Sequence, residues 1–159
     1  MREILFRGKR IDNGEWVDGY LYITHNGEHE ISIYNDEVNI ERWTHEVDPS
    51  TVGQYTGLKD KNGNGIWEGD IVELFGAKGS VVQECGAFGI GFMHAIDYDL
   101  LESKIPFNNN ANFCFNDNFI SLWEVFWNYE QDDNPLYEVE VIGNIYDNPE
   151  LMKGGKDNG

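Results

Sequence analysis

Turn-forming residues recur so closely along this chain that they leave no room for a long helix. Asp12-Asn13-Gly14, His25-Asn26-Gly27-Glu28, Asp48-Pro49, Asn62-Gly63, Gly76-Ala77-Lys78-Gly79 and Asn148-Pro149 punctuate it, and 18 of its 159 residues are glycine. Between them lie short runs rich in β-branched and aromatic residues: EILFRGKR, EWVDGYLYI, EISIY, QYTGL, GIWEGDIVELF, SVVQEC, IGFMHAI and LYEVEVIGNIY. Such side chains suit a pleated, half-buried surface, and strand runs with turns about every 8–12 residues indicate a mainly β fold. The expected class is mainly β, a small barrel or roll. Apolar residues make up 40% and aromatics 14%, enough for a packed core, so the chain is not of the disordered kind.

The Asp12-Asn13-Gly14 turn predicts a hairpin over residues 3–24. Asp48-Pro49-Ser50-Thr51-Val52-Gly53 reads as one helical turn, with Asp48 at the N-cap, Pro49 at N1 and Gly53 at the end. Asn148-Pro149 opens a closing helical turn. FISLWEVFWNY is ambiguous. Ser121 and Glu124 have capping-box spacing, but Phe119, Trp123, Val125, Trp127 and Tyr129 alternate, which favours a strand. The expected organisation is an N-terminal β-hairpin region over 1–58, a barrel over 59–150 with a variable insertion over 94–135, of which 102–118 read as an irregular excursion, and a frayed tail over 151–159. Residues 1–58 form a segment expected to be too short for a core of its own. Phe6, Trp16, Tyr20, Tyr22, Tyr34 and Trp43 would then pack elsewhere, and the first strand, with Ile4, Leu5 and Phe6, would present an open edge. Both features predict a homo-oligomer.

The net charge is −18, unevenly spread. Residues 1–10 hold Arg2, Arg7, Lys9 and Arg10 against Glu3, whereas residues 11–150 hold 27 acids against Arg42, Lys59, Lys61, Lys78 and Lys104. Such a surface repels phosphate backbones and acidic membranes, so direct nucleic-acid or membrane binding is not expected. The simplest reading of the charge is solubility; the sharper one is an acidic DNA mimic that inhibits a host DNA-binding protein. MREILFRGKR has no apolar signal region, and no apolar run reaches the ~18 residues of a membrane span. Cys85 and Cys114 are too few for a disulfide scaffold and lack CxxC spacing. Cytoplasm is the expected compartment.

Several motifs suggest chemistry and fall short of it. In D60-K-N-G-N-G-I-W-E-G-D70 the residues Asp60, Asn62, Asn64 and Gly65 match the front half of a calcium loop, but the position of the closing bidentate glutamate is Ile71. Asn62-Gly63 in an alternating apolar context is a hairpin signal, so the stretch is expected to be a turn without metal. His25-Asn26-Gly27-Glu28-His29 matches the HxxEH zinc pattern, yet that chemistry needs a helix, and Asn-Gly opposes one. Gly86-Ala87-Phe88-Gly89-Ile90-Gly91 and Gly76-Ala77-Lys78-Gly79-Ser80 lack phosphate-loop spacing and a following helix. The pairs Asp97/Asp99 and Asp132/Asp133 are too common in so acidic a chain to nominate an acid and a base. No catalytic, cofactor or metal residue is assigned, and the chain leans away from being an enzyme.

Three blocks carry a family resemblance: I4-L-F-R-G-K-R-I-D-N-G-E-W-V-D-G-Y-L, then V52-G-Q-Y-T-G-L-K-D-K-N-G through E68-G-D-I-V, then V141-I-G-N-I-Y-D-N-P-E-L. Together they resemble phage and prophage proteins of the YopX family across nearly the whole chain, least in 94–135. The resemblance implies a gene of a temperate phage or integrated element, a C-terminal half folded as a small SH3-type barrel, and no assigned catalytic residues or established activity. Relatives read more like DKNGKEIYEGD at the central turn, so the resemblance also argues against a calcium site at Asn64-Gly65. Two functions stay open. One is a non-enzymatic accessory protein that binds protein, as a homo-oligomer. The other is a small-molecule-binding protein or enzyme with a site near residues 86–118, where His94, Asp97 and Asp99 fall.

Overall fold

The computed structural model describes residues 3–33, 43–84, 86–94, 118–127 and 138–153. The chain divides into two compact units, Met1–Gly57 and Leu58–Gly159, and both are built on antiparallel sheet.

In the first unit β1 (Phe6–Lys9), β2 (Trp16–Ile23), β3 (His29–Ile33), β4 (Trp43–Val47) and the start of β5 (Gly53–Lys59) stand in the order β4-β3-β2-β1-β5. The β1–β2 hairpin closes as the Asp12-Asn13-Gly14 signal predicts, with the Arg10 N–H donating to Glu15 and the Gly14 N–H to Arg10. The predicted turn after β4 is a 3-10 turn over Pro49–Thr51. The Asp48 carboxylate accepts from the Ser50 N–H at 2.9 Å and from its hydroxyl at 2.8 Å. The turn ends one residue earlier than expected, at Val52, because Gly53 already pairs with Arg7 in the sheet.

Two expectations for this unit are corrected. It has its own core: Val17, Ile31 and Val47 are buried, and Phe6, Leu21, Ile33 and Val52 pack on them. The sheet achieves this by curling, since a bridge between Arg10 and Val47 brings the end of β4 back to β1. Nor is β1 an open edge. It lies between β2 and β5, and the Leu5 carbonyl accepts from Tyr55 at 2.8 Å.

In the second unit β7 (Asp70–Leu74), β8 (Ala77–Glu84), β9 (Ala87–Phe92), β10 (Phe119–Ser121) and β11 (Glu140–Asn144) form a sheet in the order β10-β9-β8-β7-β11. Its core is Ile66, Val72, Leu74, Val81, Ile90, Phe92, Ile120, Leu122, Val125 and Val139. The strand order is linear. Both sheets are antiparallel and neither closes into a barrel, so the mainly β class expected from turn spacing holds, while the barrel of the barrel-or-roll expectation does not form. The run GIWEGDIVELF is broken in two: β6 (Gly65–Trp67) ends at a turn where the buried Asp70 carboxylate accepts from the Trp67 N–H at 2.8 Å. Ile71, at the closing position of the supposed calcium loop, is fully buried. The β7–β8 turn is Phe75-Gly76, with φ of 50° and 84°, so Ala77-Lys78-Gly79 belong to β8. A two-residue hairpin of this kind needs positive φ at both positions, and Phe75 adopts it with its ring packed against the core.

The alternation of aromatics after Phe119 does not make a strand. Only Phe119–Ser121 pair with β9; Leu122–Trp127 form a helix, α1. Ser121 leaves the sheet as an N-cap, its Oγ accepting from the Trp123 N–H at 3.2 Å, so the capping signal prevails over the period-two pattern. Leu122 and Val125, three apart, face the core, and Trp123 is left 61% exposed. Among the described residues no helix is long and apolar enough to cross a membrane.

Candidate functional site

The register of β2, β3 and β4 sets Tyr20 opposite Ser32 opposite Thr44, and Tyr22 opposite Glu30 opposite Glu46. Directly opposed residues share a face of a sheet. Val17 and Leu21 take the core side of β2, so Trp16, Asp18, Tyr20 and Tyr22 take the outer side. On that outer face a groove of about 290 Å3 is lined by Tyr20, Tyr22, Glu30, Ser32 and Thr44, with Leu21 between the two tyrosines in the chain. Its floor holds a hydroxyl pair, Ser32 Oγ and Thr44 Oγ1, 3.3 Å apart. Tyr20 and Tyr22 are 46% and 61% exposed. Among the described residues neither phenol hydroxyl nor the Glu30 carboxylate has a hydrogen-bond or ion-pair partner.

The groove offers two aromatic rings, two hydroxyls and a carboxylate. The histidines of these strands, His29 and His45, lie opposite Val47 and Ile31, on the core-facing side. Together these groups make the groove a candidate binding site, with stacking, hydrogen-bonding and charged contacts to offer. Sequence reading missed it. The alternation in WVDGYLYI separates Tyr20 and Tyr22 from Val17 and Leu21, which is a legible signal. The pairing with Ser32 and Thr44 depends on where β3 and β4 meet, and no local pattern shows that.

The sequence motifs fall elsewhere and do not converge. At Asp60 the carboxylate is filled by donors: Oδ1 accepts from the Asn62 and Asn64 N–H groups at 2.9 and 2.8 Å, and Oδ2 from the Val141 N–H at 2.9 Å. The Asn64 side-chain amide adds a fourth contact at 3.4 Å. The Asp60 N–H donates to the Asn64 carbonyl and the Gly63 N–H to the Asp60 carbonyl, while Gly63 holds φ at 82°. This is a tight hairpin with a glycine bulge. Burial pushes the Asp60 carboxyl up, but the N–H donors of Val141, Asn64 and Asn62 and the Asn64 amide outweigh it, and its pKa lies below the ordinary value. Asn62 reaches Glu140 at 3.5 Å, and Lys61 forms an ion pair with the same carboxylate. Asp60 therefore acts as an anchor for backbone N–H groups, with its oxygens directed at them.

His25 and His29 flank the β2–β3 turn, where Glu28 accepts from the Thr24 hydroxyl and the His29 ring contacts the Gly27 carbonyl. The glycines of GAFGIG are turn and packing positions: Gly86 has φ of 79° in the β8–β9 turn, and Gly89 lies against the Phe119 ring. A Cβ at Gly79 would meet the Gly91 carbonyl oxygen at 2.6 Å. His94 is exposed just past β9. Cys85, Cys114, Tyr34, Asp97, Asp99, Asp132 and Asp133 lie outside the described residues. Among the described residues no three His, Cys, Asp or Glu side chains gather within reach of one metal ion.

The molecule is thus a two-unit antiparallel β protein with an aromatic-lined groove on one outer sheet face. Its sequence matches the family model described as YopX protein over residues 5–153, and the chain belongs to the YopX family. No curated protein sequence matches it.

Proposed function

We propose that the chain is a phage- or prophage-encoded accessory protein of the host cytoplasm that works by binding protein, its own copies included, and not by catalysis. The observation that carries this reading is the aromatic groove on the outer face of β2–β4, which sets two exposed tyrosine rings beside two hydroxyls and a carboxylate. Apolar side chains left at the surface add to it: Ile23 at 54%, Trp43 at 56% and Trp123 at 61% exposure. Such side chains are those that anchor protein interfaces. The family resemblance supports the phage origin, and it favours reading the second unit as an SH3-like roll, open along one side.

Self-association is expected to appear as a dimer or larger species by light scattering after size exclusion. The case rests on these exposed side chains and no longer on β1, which is paired on both sides. A single species of monomer mass at tens of micromolar would overturn it.

Direct DNA binding is expected to fail at about 0.15 M salt, where counterion release already weakens phosphate contacts. Among the described residues Arg7, Lys9 and Arg10 are engaged within the chain. Arg10 forms a bidentate pair with Asp12 at 2.9 and 2.6 Å, and Arg7 and Lys9 lie over the Trp16 ring. A filter or anisotropy assay showing micromolar affinity for duplex or single-stranded DNA would contradict this.

A further inference from the structure

We propose that the groove between Tyr20, Tyr22 and Glu30 receives an arginine or lysine side chain from a basic segment of a partner protein. The proposal deepens the protein-binding reading above and rests on it. Four observations point to a cationic occupant. Glu30 and Glu46 stand directly opposite each other in the β3–β4 register, and like charges so placed repel until a cation joins them. Tyr20 and Tyr22, two apart on β2, expose rings beside Glu30, and ring faces attract guanidinium and ammonium groups. Ser32 and Thr44 supply acceptor oxygens at the floor, suited to a guanidinium with five N–H donors. The same face already holds such contacts within the chain, since Arg7 and Lys9 approach the Trp16 ring centre at 4.8 and 5.5 Å.

Among the described residues no lysine or arginine lines the groove, which leaves its carboxylate open to a cation from a partner molecule. Among the described residues the charged and titratable groups on this face near the groove are Glu30, Glu46, Asp18 and the two tyrosines; Asp18 stands opposite Arg7, and the two glutamates stand opposite each other. The net charge of −18 draws basic partners from a distance, and the groove supplies the specific contact.

General attraction must be separated from the groove, and fluorescence anisotropy with a labelled arginine–glycine peptide at about 0.15 M salt does so. The arginine peptide is expected to bind about tenfold more tightly than its citrulline counterpart, which keeps the shape and loses the charge. Glu30→Gln is expected to weaken binding about tenfold, and Glu150→Gln, the same charge change in the second unit, less than about twofold. Tyr20→Ser with Tyr22→Ser leaves the net charge unaltered and is expected to weaken binding about tenfold; both residues are exposed, so folding is retained, as circular dichroism will verify. Equal binding of the citrulline peptide, equal loss in Glu30→Gln and Glu150→Gln, or native affinity in the tyrosine double variant each overturns the groove assignment. If the protein still self-associates in that case, the groove assignment falls alone and the protein-binding reading stands.

Discussion

Replacing Gly89 by valine is expected to cost the protein about 3 kcal/mol or more, a large share of the about 5–15 kcal/mol that holds a typical domain together. Even the Cβ of an alanine at this position would lie 2.2 and 2.4 Å from two atoms of the Phe119 ring and 2.5 Å from the Ile120 carbonyl oxygen. Relief is difficult on both sides. The ring is 6% exposed, with little open space to turn into. The carbonyl belongs to β10, which pairs with β9 through Gly89 and Ser121. Any shift that makes room therefore opens the β9–β10 pairing that leads into α1. Gly89→Ala is expected to cost about 2–3 kcal/mol by the same contact. Phe119→Ala creates a cavity and is costly alone. Combined with Gly89→Ala it should cost clearly less than the two changes summed, because the clash disappears with the ring. Urea unfolding followed by tryptophan fluorescence measures all three. A Gly89→Ala variant within about 0.5 kcal/mol of native would contradict the close packing of Gly89 under Phe119.

Gly89 also shows what a sequence can and cannot disclose. Its neighbourhood, GAFGIG, resembles a phosphate loop until the missing helix is noticed. That exclusion is local and therefore legible. The actual cause of the glycine, a ring arriving from a strand 30 residues later, is not local. The same division runs through the molecule. Asp12-Asn13-Gly14, Asp48-Pro49 and Asn62-Gly63 form the turns that their dihedral preferences dictate, since a turn is decided by a few adjacent residues. The mainly β class follows from those turns and the β-branched and aromatic runs between them.

What escaped depends on long-range register or on competition between local signals. The period-two pattern from Phe119 to Trp127 was opposed by one cap, and Ser121 prevailed because Leu122 and Val125 then reach the core together. The interior position of β1 comes from Gly53 and Gln54, about 46 residues beyond it. The first unit's core was underestimated because Val17, Ile31 and Val47 are widely spaced in sequence and converge only when the sheet curls. The groove was hidden for a related reason: its tyrosines are adjacent on one strand, but its hydroxyls and carboxylate come from two others.

Asp60→Ala is expected to be the most damaging single change in the central turn, at about 3–5 kcal/mol. One carboxylate holds three backbone N–H groups, those of Asn62, Asn64 and Val141. Hydrogen bonds to a charged group contribute about 1.5–3 kcal/mol each, and donors left unmet inside the protein carry their own cost. The contacts also differ in reach. Two close the hairpin itself, while the third ties it to β11, 81 residues away in sequence. Asp60→Asn tests the charge separately. Its amide keeps one oxygen for Asn62 and Asn64 but turns an NH2 toward the Val141 N–H, so a loss of about 2–3 kcal/mol is expected at neutral pH. Because the folded carboxyl titrates below its ordinary value, its contribution is complete above about pH 3.9 and fades as the pH falls through the folded value. A protonated Asp60 then resembles the asparagine variant. The stability gap between the native protein and Asp60→Asn should therefore be full at neutral pH and shrink toward zero in acid. A gap of constant size down to about pH 2 would show that shape and not charge holds the turn. Millimolar calcium should leave the native melting temperature unchanged, since a ligand of the folded state must raise it and the Asp60 oxygens already face N–H donors. A calcium-dependent rise that vanishes in Asn62→Ala would mean that the turn opens to take a cation in preference to its own backbone.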